Sequence, residues 1–142
     1  MPAAKYFTDQ ELACKHCSVN GTTQTLRDAL DAFRTAAGVP VIVDDAYRCP
    51  EHNKAVGGVP NSQHVLGTAA DIKIAGLKAF QLEAIAKSIG AINGIGRDDH
   101  KDYIHVDVRL KPAHWCYGLN GQQETYYPYT AGPQNTGAVG AD

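Results

Sequence analysis

The sequence has no apolar run approaching the roughly 18 residues that a membrane-spanning helix requires. It also lacks an excess of positive charge: 13 Lys and Arg stand against 15 Asp and Glu, with a pI near 6.3. Binders of the nucleic-acid backbone concentrate Lys and Arg, so neither nucleic acid nor membrane insertion is expected. The first residues, Met1 to Phe7, lack the basic-then-apolar pattern of a secretory signal. No internal repeat is present. Residues 120–142 carry no periodic apolar pattern and are expected as a poorly ordered tail, with Tyr126, Tyr127 and Tyr129 docked on the domain. What is present is an ordinary globular balance, 44% hydrophobic and 20% charged over 142 residues. A chain of this size buries about 68% of its unfolded surface, enough for one core without staples. A single domain over 1–119, acting as a monomer, is the expectation. Six histidines and four cysteines are the conspicuous surplus.

Thr8 and Glu11 have capping-box spacing before Leu12, so a short helix is predicted there. Leu26, Ala29, Leu30, Phe33 and Ala37 have helical spacing, with Gly38 as the stop. Val41 to Val43 is rich in β-branched residues and is predicted as a buried strand. Pro50 to Val56 is predicted as a short turn of helix before the Gly57-Gly58 loop. Ala70, Ile72 and Ile74 alternate with Asp71 and Lys73, which predicts a half-buried strand with Asp71 on its polar face. Leu77 to Ile89 returns to helical spacing, and Ile92 to Gly96 reads as a further strand. Tyr103 to Arg109 alternates most cleanly: Ile104, Val106 and Val108 point one way, and Tyr103, His105, Asp107 and Arg109 the other. Mixed helices and strands make α+β the expected class, a small antiparallel sheet with flanking helices.

His64 and Asp71 lie seven residues apart, joined by a turn containing Gly67. His105 sits on the polar face of the later strand. Two imidazoles and a carboxylate leave a fourth tetrahedral position open, the donor set of a catalytic zinc rather than a structural one. From spacing alone, a hydrogen-bonded structural histidine and a solvated Asp71 remain open alternatives.

The run Ser62-x-His64-x-x-Gly67-x-Ala69-x-Asp71, with Tyr103-Ile104-His105-Val106-Asp107 later, resembles the zinc D-Ala-D-Ala carboxypeptidase family. That family also holds peptidoglycan endopeptidases, the vancomycin-resistance dipeptidases and the related fold of hedgehog signalling domains. Tyr47-Arg48-Cys49-Pro50, Asn53 and Gly57-Gly58 resemble its approach to the first histidine, and the likeness spans residues 6 to 117. The resemblance implies one catalytic zinc on His64, Asp71 and His105. It implies Asp102, three residues before His105, as the proton-carrying carboxylate, ahead of Asp99. On an ideal strand that residue would face away from His105, so the strand must start after it or bulge. Arg48 is implied as the cation for an oxyanion or a substrate carboxylate, a task suited to a planar bidentate donor. Ser62 would fix substrate or the loop, and the Tyr103 hydroxyl could bond substrate. Many relatives place a histidine where this chain has Tyr103. Asp107 is expected to support His105 rather than bind metal.

The function so implied is zinc-dependent hydrolysis of amide bonds in peptidoglycan stem peptides, by a carboxypeptidase or an endopeptidase such as a phage lysin. The alternative is an inactive zinc-containing domain that binds peptidoglycan or a protein partner. Without a visible export signal, action on the cell wall would need release through a separate pore or carriage on a phage particle. Cys14, Cys17, Cys49 and Cys116 allow three sets of disulfide pairings or one four-thiolate zinc site. Reduced buried thiols are the expectation, with a second zinc the weaker alternative. His52, His100 and His114 show no partner pattern, and His114-Trp115 is expected as strand-end packing near the site.

Overall fold

Thr8 and Glu11 form the reciprocal box that their spacing predicts. The Glu11 N–H donates to Thr8 Oγ1 at 3.1 Å, and the Thr8 N–H donates to Glu11 Oε1 at 2.8 Å. The box opens α1, Asp9–Leu12. The computed structural model describes residues 4–118. The tail expected at 120–142, with its three tyrosines, lies outside the described residues. Helix α2, Gln24–Ala37, begins at Thr23, whose side chain accepts the Leu26 N–H, a cap worth about 1 kcal/mol. It ends at Gly38, and its Leu26, Ala29, Leu30 and Phe33 are buried. Then follow β1 (Ile42–Asp45), α3 (Pro50–Ala55), β2 (Ala69–Lys73), α4 (Ala79–Lys87), β3 (Gly94–Asp98), β4 (Tyr103–Asp107) and β5 (Ala113–Cys116).

The five strands form one sheet in the order β1-β2-β4-β3-β5, and the class is α+β as expected. β1 with β2, β2 with β4 and β4 with β3 are antiparallel, whereas β5 runs parallel to β3. The expected antiparallel sheet therefore holds for four strands, with a parallel fifth at the edge. β1 also departs from expectation. It is an edge strand rather than a buried one, with Ile42 43% exposed. Val41 beside it is buried, so one residue of the β-branched run faces the core and the next faces out.

Ala70, Ile72 and Ile74 from the β2 segment join Ile95, Ile104 and Val106 in the core. Leu26, Leu30 and Phe33 of α2 and Leu82 and Ala86 of α4 cover that face. Burying each large apolar side chain contributes roughly 1.5–3 kcal/mol, which anchors the sheet to both helices. Strand alternation then commits Asp71 and His105 to the opposite face.

His114 on β5 is only 2% exposed. Burial, with a smaller push from the Lys87 charge, lowers its imidazole pKa to about 4. The unfolded chain binds this proton near pH 6.5, ahead of the folded one. Stability from the neutral ring is thus complete above about pH 6.5 and is lost as pH falls toward 4. The expected loss is up to about 3 kcal/mol. Urea unfolding of His114→Gln should show a shallower acid decline than wild type over this window. Parallel curves would refute the assignment.

Candidate metal centre

The sheet register lays one row of residues across all five strands. Asp45 opposes Asp71, Asp71 opposes His105, His105 opposes Gly96, and Gly96 opposes Trp115. Directly opposed residues share a face, so this row is one continuous surface feature. Gly96 is where the row needs no side chain: a Cβ there would strike the Trp115 indole. Its absence lets the indole lie over β3, 5.2 Å from the His105 ring centre to centre.

His64 reaches the row from the loop before β2. Gly67 turns that loop with φ +77°, and the Gly21 carbonyl occupies the space a Cβ would need. The Thr23 N–H donates to the Gly67 carbonyl at 2.9 Å, tying the loop to the start of α2. Ser62 is fully buried and its Oγ accepts the His64 N–H at 3.1 Å. The Arg48 N–H donates to the His64 carbonyl at 3.1 Å. His64 is thus fixed at its backbone from both sides.

The ring nitrogens decide what the cluster can hold. His64 Nδ1 lies 2.7 Å from the Ala46 carbonyl oxygen, which can only accept. Nδ1 therefore carries the proton, and Nε2 presents a lone pair. Nε2 is buried without a hydrogen-bond partner and sits 3.3 Å from Asp71 Oδ1. In His105 the tautomer is reversed. Its Nε2 donates to Asp107 Oδ2 at 2.7 Å, and Arg109 grips both oxygens of that carboxylate at 2.7 and 2.6 Å. His105 Nδ1 then presents its lone pair 3.2 Å from the same Asp71 Oδ1.

Three electron-pair donors without a proton between them face one point. A tetrahedral ion about 2.0 Å from each nitrogen and oxygen sets its ligand atoms about 3.3 Å apart. The observed separations of 3.2 and 3.3 Å match those edges. The residues fit a small divalent cation. Burial would raise the Asp71 carboxyl, but the attraction of His64 and the bonds to both imidazoles outweigh it and hold it well below the usual range. Asp107 is likewise held low, because His105 and Arg109 outweigh the cost of its burial. Both imidazoles are sealed, whereas the Asp71 side chain keeps 15% of its surface, so solvent meets the cluster on that side.

The other predicted residues divide. Arg48 is buried, donating through Nε and Nη2 to Asp45 Oδ2 at 3.2 and 2.7 Å and through Nη1 to Asn53 Oδ1 at 2.8 Å. Tyr103 stacks on Tyr117 with ring centres 5.9 Å apart. Ser62 holds the loop, the second of its two expected tasks. Asp102 does precede the strand, in a left-handed turn with φ +52°. Its carboxylate, however, accepts the Ala79 N–H at 3.1 Å at the start of α4 and lies 3.5 Å from Lys78 Nζ. Of the cysteines, Cys14, Cys17 and Cys49 come together and Cys116 is not in their group. Cys17 is exposed, contrary to the expectation of buried thiols.

Spacing missed four partners. Asp45 and Asn53 fix Arg48, Arg109 fixes Asp107, and the Ala46 carbonyl sets the His64 tautomer. Arg109, on the His105 face two residues past Asp107, carried a readable signal. A backbone carbonyl carries none.

A family model described as Peptidase M15 matches residues 5–107. Among curated proteins, the zinc D-Ala-D-Ala carboxypeptidase of Streptomyces albus G is 40% identical over 94 residues. The alignment covers 61% of this chain and 36% of that protein, so the chain spans about a third of the relative's length. His64, Asp71 and His105 all fall within the span of the family match. Matched over well more than half of its length, the chain belongs to the M15 peptidase family.

Proposed function

We propose that this chain is a zinc-dependent peptidase that hydrolyses amide bonds in peptidoglycan stem peptides, as a D,D-carboxypeptidase or an endopeptidase. The observation that carries the reading is the set of three unprotonated donors at tetrahedral spacing, His64 Nε2, Asp71 Oδ1 and His105 Nδ1. The substrate class rests on the similarity to a zinc D-Ala-D-Ala carboxypeptidase. Two imidazoles and one carboxylate would hold the metal. When bound, zinc polarises a carbonyl and brings the pKa of water to about 7.

The remaining work belongs to the protein's own groups. Asp107 and the Ala46 carbonyl hold both rings in one tautomer, so the donors need no rearrangement. Trp115 covers the His105 ring and excludes water from that side. Arg48, held rigid by Asp45 and Asn53, supplies the positive charge for an oxyanion or a substrate carboxylate. Tyr103 offers a hydroxyl to substrate. Asp102 carries the proton between water and leaving amine, which requires its side chain to turn from the α4 N-terminus.

That engagement of Asp102 favours one second reading, a zinc-containing domain that binds wall peptides or a protein partner without cleaving them. Mass spectrometry of defined muropeptides, incubated with and without chelator, separates the two. The expected result is a chelator-sensitive product whose mass identifies the bond cut. Muropeptides left intact by zinc-loaded protein would establish the binding reading.

A further inference from the structure

A second cluster of donors lies outside the M15 site. Cys14 follows α1, Cys17 sits in the next turn, and Cys49 caps α3 one residue after Arg48. Their three sulfurs lie within 4.8 Å of one another. The loop that carries the first two is closed by its own backbone. The Cys14 N–H donates to the Val19 carbonyl at 2.7 Å, and the Ser18 N–H donates to the Cys14 carbonyl at 2.8 Å. Ser18 makes the turn with φ +65°.

Two of the three sulfurs, those of Cys14 and Cys49, face backbone amides. Cys14 Sγ accepts the N–H groups of His16 and Cys49, each at 3.4 Å. Cys49 Sγ accepts the His52 N–H at 3.4 Å. Backbone N–H donors favour sulfur as an anion, the form in which it binds metal. A cysteine acting as a small hydrophobe needs no such arrangement.

A further donor stands beside Cys49 alone, in a group with Glu51 rather than with Cys14 and Cys17, so the His16 ring must swing toward those two sulfurs to complete a site. His16 Nδ1 lies 3.6 Å from Cys49 Sγ, and the His16 ring stacks on His52 with an interplanar angle of 4°. In a tetrahedral zinc site with Zn–S about 2.3 Å and Zn–N about 2.0 Å, a sulfur–nitrogen edge measures about 3.5 Å. The Glu51 carboxylate is also within reach of His16 and Cys49, but it is exposed, and thiolate sites pair more often with imidazole.

We propose a second, structural zinc site formed by the thiolates of Cys14, Cys17 and Cys49 with His16 as fourth ligand. Each thiol releases its proton to solvent as the ion binds, and no oxidation is involved. The ion would pin the 14–19 loop to the start of α3, and so fix the chain at Cys49 beside Arg48. It would serve as a brace for the catalytic cation, separate from the M15 donors.

Zinc in the purified full chain, measured by elemental analysis, is expected at two ions per chain. It should fall to one in His64→Ala and to one in Cys17→Ser, with two retained in the control Cys116→Ser. Cobalt loaded into His64→Ala should give the intense near-ultraviolet thiolate-to-cobalt absorption, which the M15 donors cannot produce. That measurement keeps all four cysteines and does not depend on Cys17→Ser folding. One zinc in wild type with none in His64→Ala would overturn the proposal. So would a count of two titratable thiols, rather than four, in denatured and chelated protein, because that reports a disulfide. Neither result bears on the peptidase reading, which the muropeptide assay tests by itself.

Discussion

Asp71→Asn is expected to lose the M15 metal and to slow hydrolysis roughly 10⁴-fold or more, yet to make the metal-free protein more stable. The first half follows from removing the charged member of the donor set. The second half follows from the tautomers. In the tautomers that the Ala46 carbonyl and Asp107 impose, Asp71 Oδ1 faces two lone pairs at 3.3 and 3.2 Å. An asparagine amide placed there can donate to His64 Nε2 and His105 Nδ1 together. Satisfying two buried acceptors is worth about 1–2 kcal/mol, or several degrees in Tm for a domain of this size. Thermal unfolding with chelator near pH 8 tests the sign, and zinc content with muropeptide turnover tests the loss. A variant that keeps stoichiometric zinc and cleaves within tenfold of wild type would remove Asp71 from the site.

Asp102→Asn is expected to reduce kcat by about 10²–10⁴ while leaving zinc content and Tm nearly unchanged. The asparagine keeps an oxygen for the Ala79 N–H, which the carboxylate accepts at 3.1 Å. It also tolerates the left-handed backbone at φ +52° better than most residues. Only the exposed contact with Lys78 disappears, and exposed pairs of this kind contribute little. Proton carriage is the one role the substitution removes. Asp102→Ala removes the cap as well, so its lower activity would come with a loss of about 1–2 kcal/mol. Activity of Asp102→Asn within threefold of wild type would assign Asp102 to the α4 N-terminus alone.

How far the sequence discloses this depends on how local each determinant is. The α1 capping box, the α2 stripe from Leu26 to Phe33 and the alternation in β4 are short-range patterns, and each produced its element. Spacing and strand alternation left the grouping of His64, Asp71 and His105 open; the motif resemblance singled out the three together, and the sheet brings them to one point. The row from Asp45 to Trp115 was not legible, because it depends on the register of four pairings between distant segments. The edge position of β1 and the parallel pairing of β5 are likewise properties of sheet order, which composition does not encode. Cys14 and Cys17 advertised their proximity by spacing. Their meeting with Cys49 rather than Cys116 depends on the loop after α1 packing against the start of α3.

The opposition of Asp71 and His105 across β2 and β4 has a kinetic corollary. These residues are 34 positions apart, and their approach is enforced by strand pairing. Closing such a loop in an unfolded chain carries an entropic cost that an incoming ion would have to overcome unaided. Here the hydrophobic core that buries Ile72 and Ile104 holds the two strands together without help from an ion. Metal capture is therefore expected to follow folding on a preorganised scaffold, unlike that of a zinc finger, whose chain stays unfolded until the ion arrives.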